Sequence, residues 1–211
     1  MKEASGQTSC FLHGTFFIWR MILMQKKNQL YRMVITSVLL ALGLVLPFLT
    51  GQLQSFGQLL SPLHIPVLIC GLTCGWGWGG ALGLILPVLR MMLFSRPGAV
   101  SAYPMMFELC AYGVLTGLLY PWLRRRLSRL GASRLVAMLA SLAIAMVCGR
   151  MVGGIATSLL LATGIISREP LTFGVFISDY FIATTPGAVV HLIVVPAVVL
   201  ALEKAHLSPN A

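Results

Sequence analysis

Long apolar stretches, separated by short breaks marked with proline, glycine or charge, run through most of the chain, and their lengths predict helices that cross a bilayer. A hydrocarbon core about 30 Å thick calls for roughly 20 apolar residues in helical form. The first such stretch covers residues 33–50 and ends around Pro47, Gly51 and Gln52. A second covers 59–75, with Pro62 and Pro66 in its opening turns, where a missing amide donor costs least. The glycine-rich segment GWGWGG reads as a hairpin leading to a third stretch at 81–94, and a fourth lies at 104–123. Residues 135–166 form one apolar run, which at about 1.5 Å per residue exceeds the bilayer core. It must tilt, break or protrude, with Gly149, Gly153, Gly154 and Gly164 as its weak points. The last stretch opens at Thr185-Pro186, an N-cap followed by proline at the first helical position, and continues to about Glu203. Residues 171–182 before it read as an interfacial loop or short helix.

This pattern predicts an all-α integral membrane protein with six transmembrane helices in one domain, residues 33–205. Residues 1–32 form an N-terminal extension, cytoplasmic or interfacial, with an apolar patch at 11–24 followed by Lys26, Lys27 and Arg32. The order of a charged region, an apolar region and a small-residue cleavage site is missing from it, so it is not read as a signal peptide. Met21, Met24 and Met33 are alternative starts. Residues 206–211 read as a cytoplasmic tail.

Composition strengthens the picture. The chain of 211 residues is 58% hydrophobic and 9% charged, with a mean hydropathy of +0.91, well above a soluble domain's apolar share of about 45–50%. A net charge of +10 raises nucleic acid as a partner, but a basic groove needs exposed cations interleaved with aromatics on a soluble surface. Here the cations gather at the ends of apolar runs, as topology markers do. With the amino terminus inside, Lys26, Lys27, Arg32, the group Arg124, Arg125, Arg126, Arg129 and Arg134, and Lys204 all fall inside, leaving Arg96 and Arg168 outside. Both termini are then cytoplasmic.

Ionisable side chains within a span cost about 2.5–3.5 kcal/mol each on insertion scales, so those present need a reason. They are Arg90, Glu108, Arg150 and His191, with His64 and Asp179 near span edges. In the six-span arrangement His64, Arg90, Glu108, Asp179 and His191 fall toward the outer leaflet, and Arg150 lies deeper. An apolar cavity with a few placed hydrogen-bonding groups suits a polar organic molecule. Structural readings stand beside this one. Arg90 and Glu108 neutralise each other, or Arg150 pairs with Glu108; His64 caps a helix or snorkels; His191 is a packed interhelical donor. The opening Thr184-Thr185-Pro186-Gly187 directs amide donors toward the same leaflet.

Five cysteines, Cys10, Cys70, Cys74, Cys110 and Cys148, are scattered, and all but Cys10 lie in apolar runs, as small packing residues do. Cys70 and Cys74 share a helix face, but no histidine or carboxylate nearby in sequence completes a metal set. Small residues four apart occur as Ser37 and Ala41, as Gly75, Gly79 and Gly83, and as Gly149 and Gly153, and permit close helix approach. No phosphate loop, His-Glu-x-x-His, Gly-x-Ser-x-Gly or paired intramembrane carboxylate occurs, so neither ATP hydrolysis nor other catalysis is expected of this chain.

The run LALGLVLPFLTGQ, a short loop, and SPLHIPVLICGLTCGWGWGGALGLILPVLR resemble the first three spans of energy-coupling factor (ECF) transporter substrate-binding S components. FELCAYGVLTGLLY, GRMVGG and TTPGAVVHLIVVPAVVLALE continue the resemblance through the last span. It implies a six-helix bundle in the bacterial plasma membrane that captures a vitamin or related micronutrient, docked on a membrane coupling (T) subunit driven by two cytoplasmic ATPases. It also implies no cofactor on this chain, ATP being used by the partners. In the family an Ala-x-x-x-Ala pattern in the first helix meets the coupling subunit; the matching residues here are Ser37 and Ala41. Cargo in the family binds near the outer face, which directs attention to the loop 51–58 and to His64, Arg90, Glu108, Arg150, Asp179 and His191. Two other classes compete: a non-transporting scaffold subunit, as in a cell-wall elongation complex, which needs no cavity, and an intramembrane enzyme, which needs a catalytic cluster.

Overall fold

The apolar runs fold into helices whose ends fall where proline, glycine and charge interrupt the pattern. The computed structural model describes residues 28–48, 62–95, 98–129, 131, 133–166, 173–182 and 184–205. Helix α1 spans Asn28–Phe48, α2 His64–Cys74, α3 Trp76–Phe94, α4 Ala99–Ser128 and α5 Arg134–Ala162. A short α6, Phe173–Ile177, runs on as a π-helical turn, Ser178–Ile182, and α7 spans Thr185–Lys204. The loop 51–58, Lys26, Lys27, Arg96 and Arg168 lie outside the described residues.

Five of these helices, α1, α3, α4, α5 and α7, are long and apolar enough to cross a membrane. The second expected span departs from the prediction. Its helix has 11 residues, about 16 Å of rise, or half the hydrocarbon thickness. The turn at Pro62-Leu63 delays its start to His64, and every residue from Pro66 to Cys74 is buried. Surrounded by protein, α2 need not match the thickness of the lipid. It still returns the chain toward the start of α1, where the Cys74 Sγ–H meets the Arg32 carbonyl at 3.8 Å.

The glycine-rich hairpin shrinks to one residue. Gly75 has φ +97°, its N–H bonds to the Gly71 carbonyl, and Trp76 already belongs to α3. Such a φ carries no steric penalty only for glycine. The long fifth run does not break either. Its 29 residues form one helix, about 43 Å long, which ends where Gly164 turns with φ +71°. The interior glycines of α5 are contact points, in keeping with the close approach expected of Gly149 and Gly153: the Tyr112 ring lies on Gly149 and the Phe176 ring on Gly154. The final helix is capped one residue earlier than expected, at Thr184.

Helix α4 is the centre of the bundle, packed most extensively on α3 and α5, while α2 fits among α3, α4 and α7. Val67, Leu68, Cys70, Leu86, Leu109, Met138, Leu142 and Val195 form the dry interior. Helix α1 lies against α2 and α3 through Thr36, whose hydroxyl is 3.5 Å from Cys70 Sγ, and through Gly43, which faces Leu86 and Pro66. Its opposite face exposes Leu30, Met33, Val34, Val38, Leu42 and Val45, as expected of a helix whose solvent there is lipid. The two ends of the bundle differ. One gathers Arg32, Arg124, Arg125 and Lys204 with exposed Trp76 and Trp122. The other gathers the candidate site.

Candidate functional site

At the arginine-poor end, four helices and the π turn enclose a cavity of about 320 Å³. Helix α2 supplies His64 from its first position, α4 supplies Ser101, Glu108 and Tyr112, and α5 supplies Met146 and Arg150. Tyr180 comes from the π turn, Thr184 from the cap of α7 and His191 from within it. Four of the six sequence-nominated residues, His64, Glu108, Arg150 and His191, therefore share one cavity, although 127 positions separate the first from the last (191 − 64).

Glu108 is the acceptor at its centre. The Tyr112 hydroxyl, one helical turn away on α4, donates to Glu108 Oε1 at 2.7 Å, and His64 Nε2 stands 3.9 Å from the same oxygen. The other carboxylate oxygen, Oε2, faces Gly153 of α5. Arg150, 9% exposed, donates from Nη2 to the Thr184 carbonyl at 3.2 Å, and its guanidinium stands beside the Tyr112 hydroxyl. Tyr112 thus lies between the acid and the base, so neither a direct Glu108–Arg150 pair nor a Glu108–Arg90 pair forms among the described residues. The His64 and His191 rings stack with centroids 5.5 Å apart and 22° between planes, and Tyr112 tilts against His64 at 5.2 Å.

The π turn is tied to α5 by hydroxyl chemistry. Tyr180 Oη and Thr157 Oγ1 are 2.6 Å apart, and both reach the Gly153 carbonyl. Thr184 Oγ1 donates back to the Tyr180 carbonyl at 2.6 Å. Because Gly153 has no side chain, Tyr180 and Glu108 both approach α5 closely at that level. These bonds satisfy a segment that is neither regular helix nor long enough to span, which is what backbone at membrane depth requires.

Two nominated residues are not placed in this group. Arg90, near the end of α3, does not line the cavity, and its Nε has no hydrogen-bond partner among the described residues. Asp179 sits in the π turn, but its side chain lies outside the described residues. Conversely, Tyr112 and Tyr180 were not among the nominated residues, while Thr184 belongs to the helix opening that the sequence directed at the same leaflet. A tyrosine in an apolar run raises no energetic flag; the usable signal was spacing, since Glu108 and Tyr112 are four apart and so share a helix face. Ser37 and Ala41 sit elsewhere, on the exposed face of α1. Among the described residues no group of three or more histidine, cysteine, aspartate or glutamate side chains forms a metal cage.

The arrangement combines one part-buried carboxylate, one buried guanidinium, two stacked imidazoles and phenol hydroxyls around a small hollow. It can grip a compact polar molecule by paired charge-assisted bonds and ring stacking. No curated protein and no solved structure is matched by the chain. A family model described as "ECF transporter, substrate-specific component" matches residues 31–202, a stretch that contains every residue lining the cavity. The chain therefore belongs to the substrate-specific components of ECF transporters, as a multi-pass membrane subunit.

Proposed function

We propose that this subunit captures a vitamin or related small organic micronutrient in the cavity between α2, α4, α5 and α7 and delivers it for import. The observation that carries the reading is the meeting of Glu108, Arg150, His64 and His191, from four separate helices, around one hollow near one end of the bundle. Buried ionisable groups are expensive in a membrane, and their gathering around open space argues for a ligand that uses them. A scaffold subunit would need no such hollow. Glu108 accepts an N–H or O–H of the ligand, Arg150 holds a carboxylate or carbonyl, and the imidazoles of His64 and His191 lie against a planar ring.

The arginine-rich end faces the cytoplasm by the positive-inside rule, which leaves the cavity toward the outer leaflet and both termini inside. Uptake relies on a membrane coupling subunit and two cytoplasmic ATPases, which use the ATP; this chain needs no cofactor and performs no catalysis. The coupling subunit meets α1 at Ser37 and Ala41, small residues on a face that the rest of the bundle leaves uncovered.

Purified protein exposed to a panel of vitamins and their precursors should retain one compound, read by isothermal titration. Glu108→Ala and Arg150→Ala should each weaken that binding by about 30-fold or more, the usual effect of removing one partner of a buried charged hydrogen bond. Wild-type silence across the whole panel, or undiminished binding by both variants, would refute the assignment.

A further inference from the structure

A second cavity, of about 530 Å³, opens at the opposite end of the bundle. Its polar wall consists of Arg32 from α1, Tyr120, Arg124, Arg125 and Ser128 from α4, and the glycine backbone at Gly71, Gly75 and Gly117. Three arginines converge on it, whereas the acidic residues of the described elements, Glu108, Asp179 and Glu203, do not line it. Glu203 and Arg134 stand near the Tyr120 ring end. Tyr120 itself is 5% exposed, with Arg124 beside its hydroxyl.

We infer that this cavity binds the phosphodiester headgroup of an anionic phospholipid. Guanidinium groups match phosphate oxygens by paired N–H donors. The depth is right for a headgroup. Trp76 and Trp122 are 58% and 55% exposed at the same end, in the manner of an interfacial aromatic belt, and the Arg126 guanidinium lies over the Trp122 ring at 5.7 Å. Leu72, Pro121 and the backbone at Gly71, Gly75 and Gly117 complete the lining. Tyr120 is 12 positions from Glu108 on α4 (120 − 108), about 18 Å along the axis, so this site is separate from the candidate cargo cavity.

The test is native mass spectrometry of the full chain released from detergent micelles holding equal amounts of phosphatidylglycerol and phosphatidylcholine. The wild type should retain phosphatidylglycerol about tenfold in preference. Arg125→Gln, an exposed position whose change does not threaten folding, should reduce the preference roughly fivefold, and Arg124→Gln by a similar factor. Arg129→Gln, outside the cavity, should leave it unchanged. Equal retention of the two lipids by the wild type, or an unaltered preference in the Arg124→Gln/Arg125→Gln double variant, would overturn the inference. Displacement of the bound lipid by millimolar inorganic phosphate or glycerol phosphate would overturn it in favour of a free-anion site.

Discussion

Gly113→Leu should destabilise the folded protein by about 3 kcal/mol or more, the upper range of overpacking costs. At Gly113 the α4 backbone rests on the α3 backbone: an added Cβ would strike the carbonyl of Gly79 and come within 2.8 Å of Gly80 N. Gly79 in turn lies so close to α2 that a Cβ there would stand 2.7 Å from Gly71 Cα and 2.8 Å from the Gly113 carbonyl. Three helices therefore meet at glycines, and none of the opposing atoms belongs to a side chain that could rotate away. Even Gly113→Ala places its methyl in the clash, so both variants should unfold early in a thermal or denaturant series in detergent. Gly77→Leu supplies the control, since nothing lies within 4 Å of its Cβ position and its effect should stay within about 0.5 kcal/mol. Equal stability of the Gly113→Leu and Gly77→Leu proteins would mean that α3 and α4 do not pack as described.

These glycines show which parts of the fold were readable beforehand. Hydropathy marks where chain can sit in lipid, and α1, α3, α4, α5 and α7 all emerge from it with ends a few residues off. It does not distinguish a span from an apolar segment buried in protein, which is why the 11-residue α2 was read as full length. Its prolines were correctly taken as an N-terminal feature, but how far they shorten the helix depends on neighbours that cover it. The glycines of GWGWGG suggested a turn because glycine is the usual punctuation of a chain. Only Gly75 turns; Gly79, Gly80 and Gly83 are inside α3, where Gly79 and Gly83 make the close helix contacts that their four-residue spacing predicted. The same substitution of roles explains why α5 runs straight through Gly149, Gly153 and Gly154.

The polar side of the cavity was legible for an energetic reason. Ionisable residues in lipid are few, so His64, Glu108, Arg150 and His191 could be nominated one at a time and assigned to a level by topology. Pairing was not legible. Whether Glu108 meets Arg90, Arg150 or neither depends on helix rotation, which hydropathy leaves open. The structure answers with a third residue, Tyr112, whose hydroxyl bonds to the acid while its ring fits the space left by Gly149. Tyr180 was harder still, because it sits in a ten-residue stretch of mixed α and π geometry whose placement rests on hydroxyl bonds to Thr157 and Gly153. Sequence periodicity carries no trace of such bonds.

Gly153 offers a test of the cavity that leaves every charged group in place. A methyl at this position would stand 3.0 Å from Tyr180 Cε1, 3.1 Å from Glu108 Oε2 and 3.2 Å from Glu108 Cβ. All three atoms belong to side chains bordering open space, so they can yield by a few tenths of an ångström where the backbone beside Gly113 cannot. Gly153→Ala should fold normally and weaken retention of the panel compound about tenfold, a cost near 1.4 kcal/mol for displacing the Glu108 carboxylate. Gly153→Leu should add enough volume to occupy the hollow between α4, α5 and the π turn, reducing retention by at least about 100-fold, while its unfolding midpoint falls less than that of Gly113→Leu. The contrast separates a filled site from a broken fold. Wild-type affinity in Gly153→Leu would mean that the ligand does not lie against Glu108 and Tyr180, and would move the capture site elsewhere in the bundle.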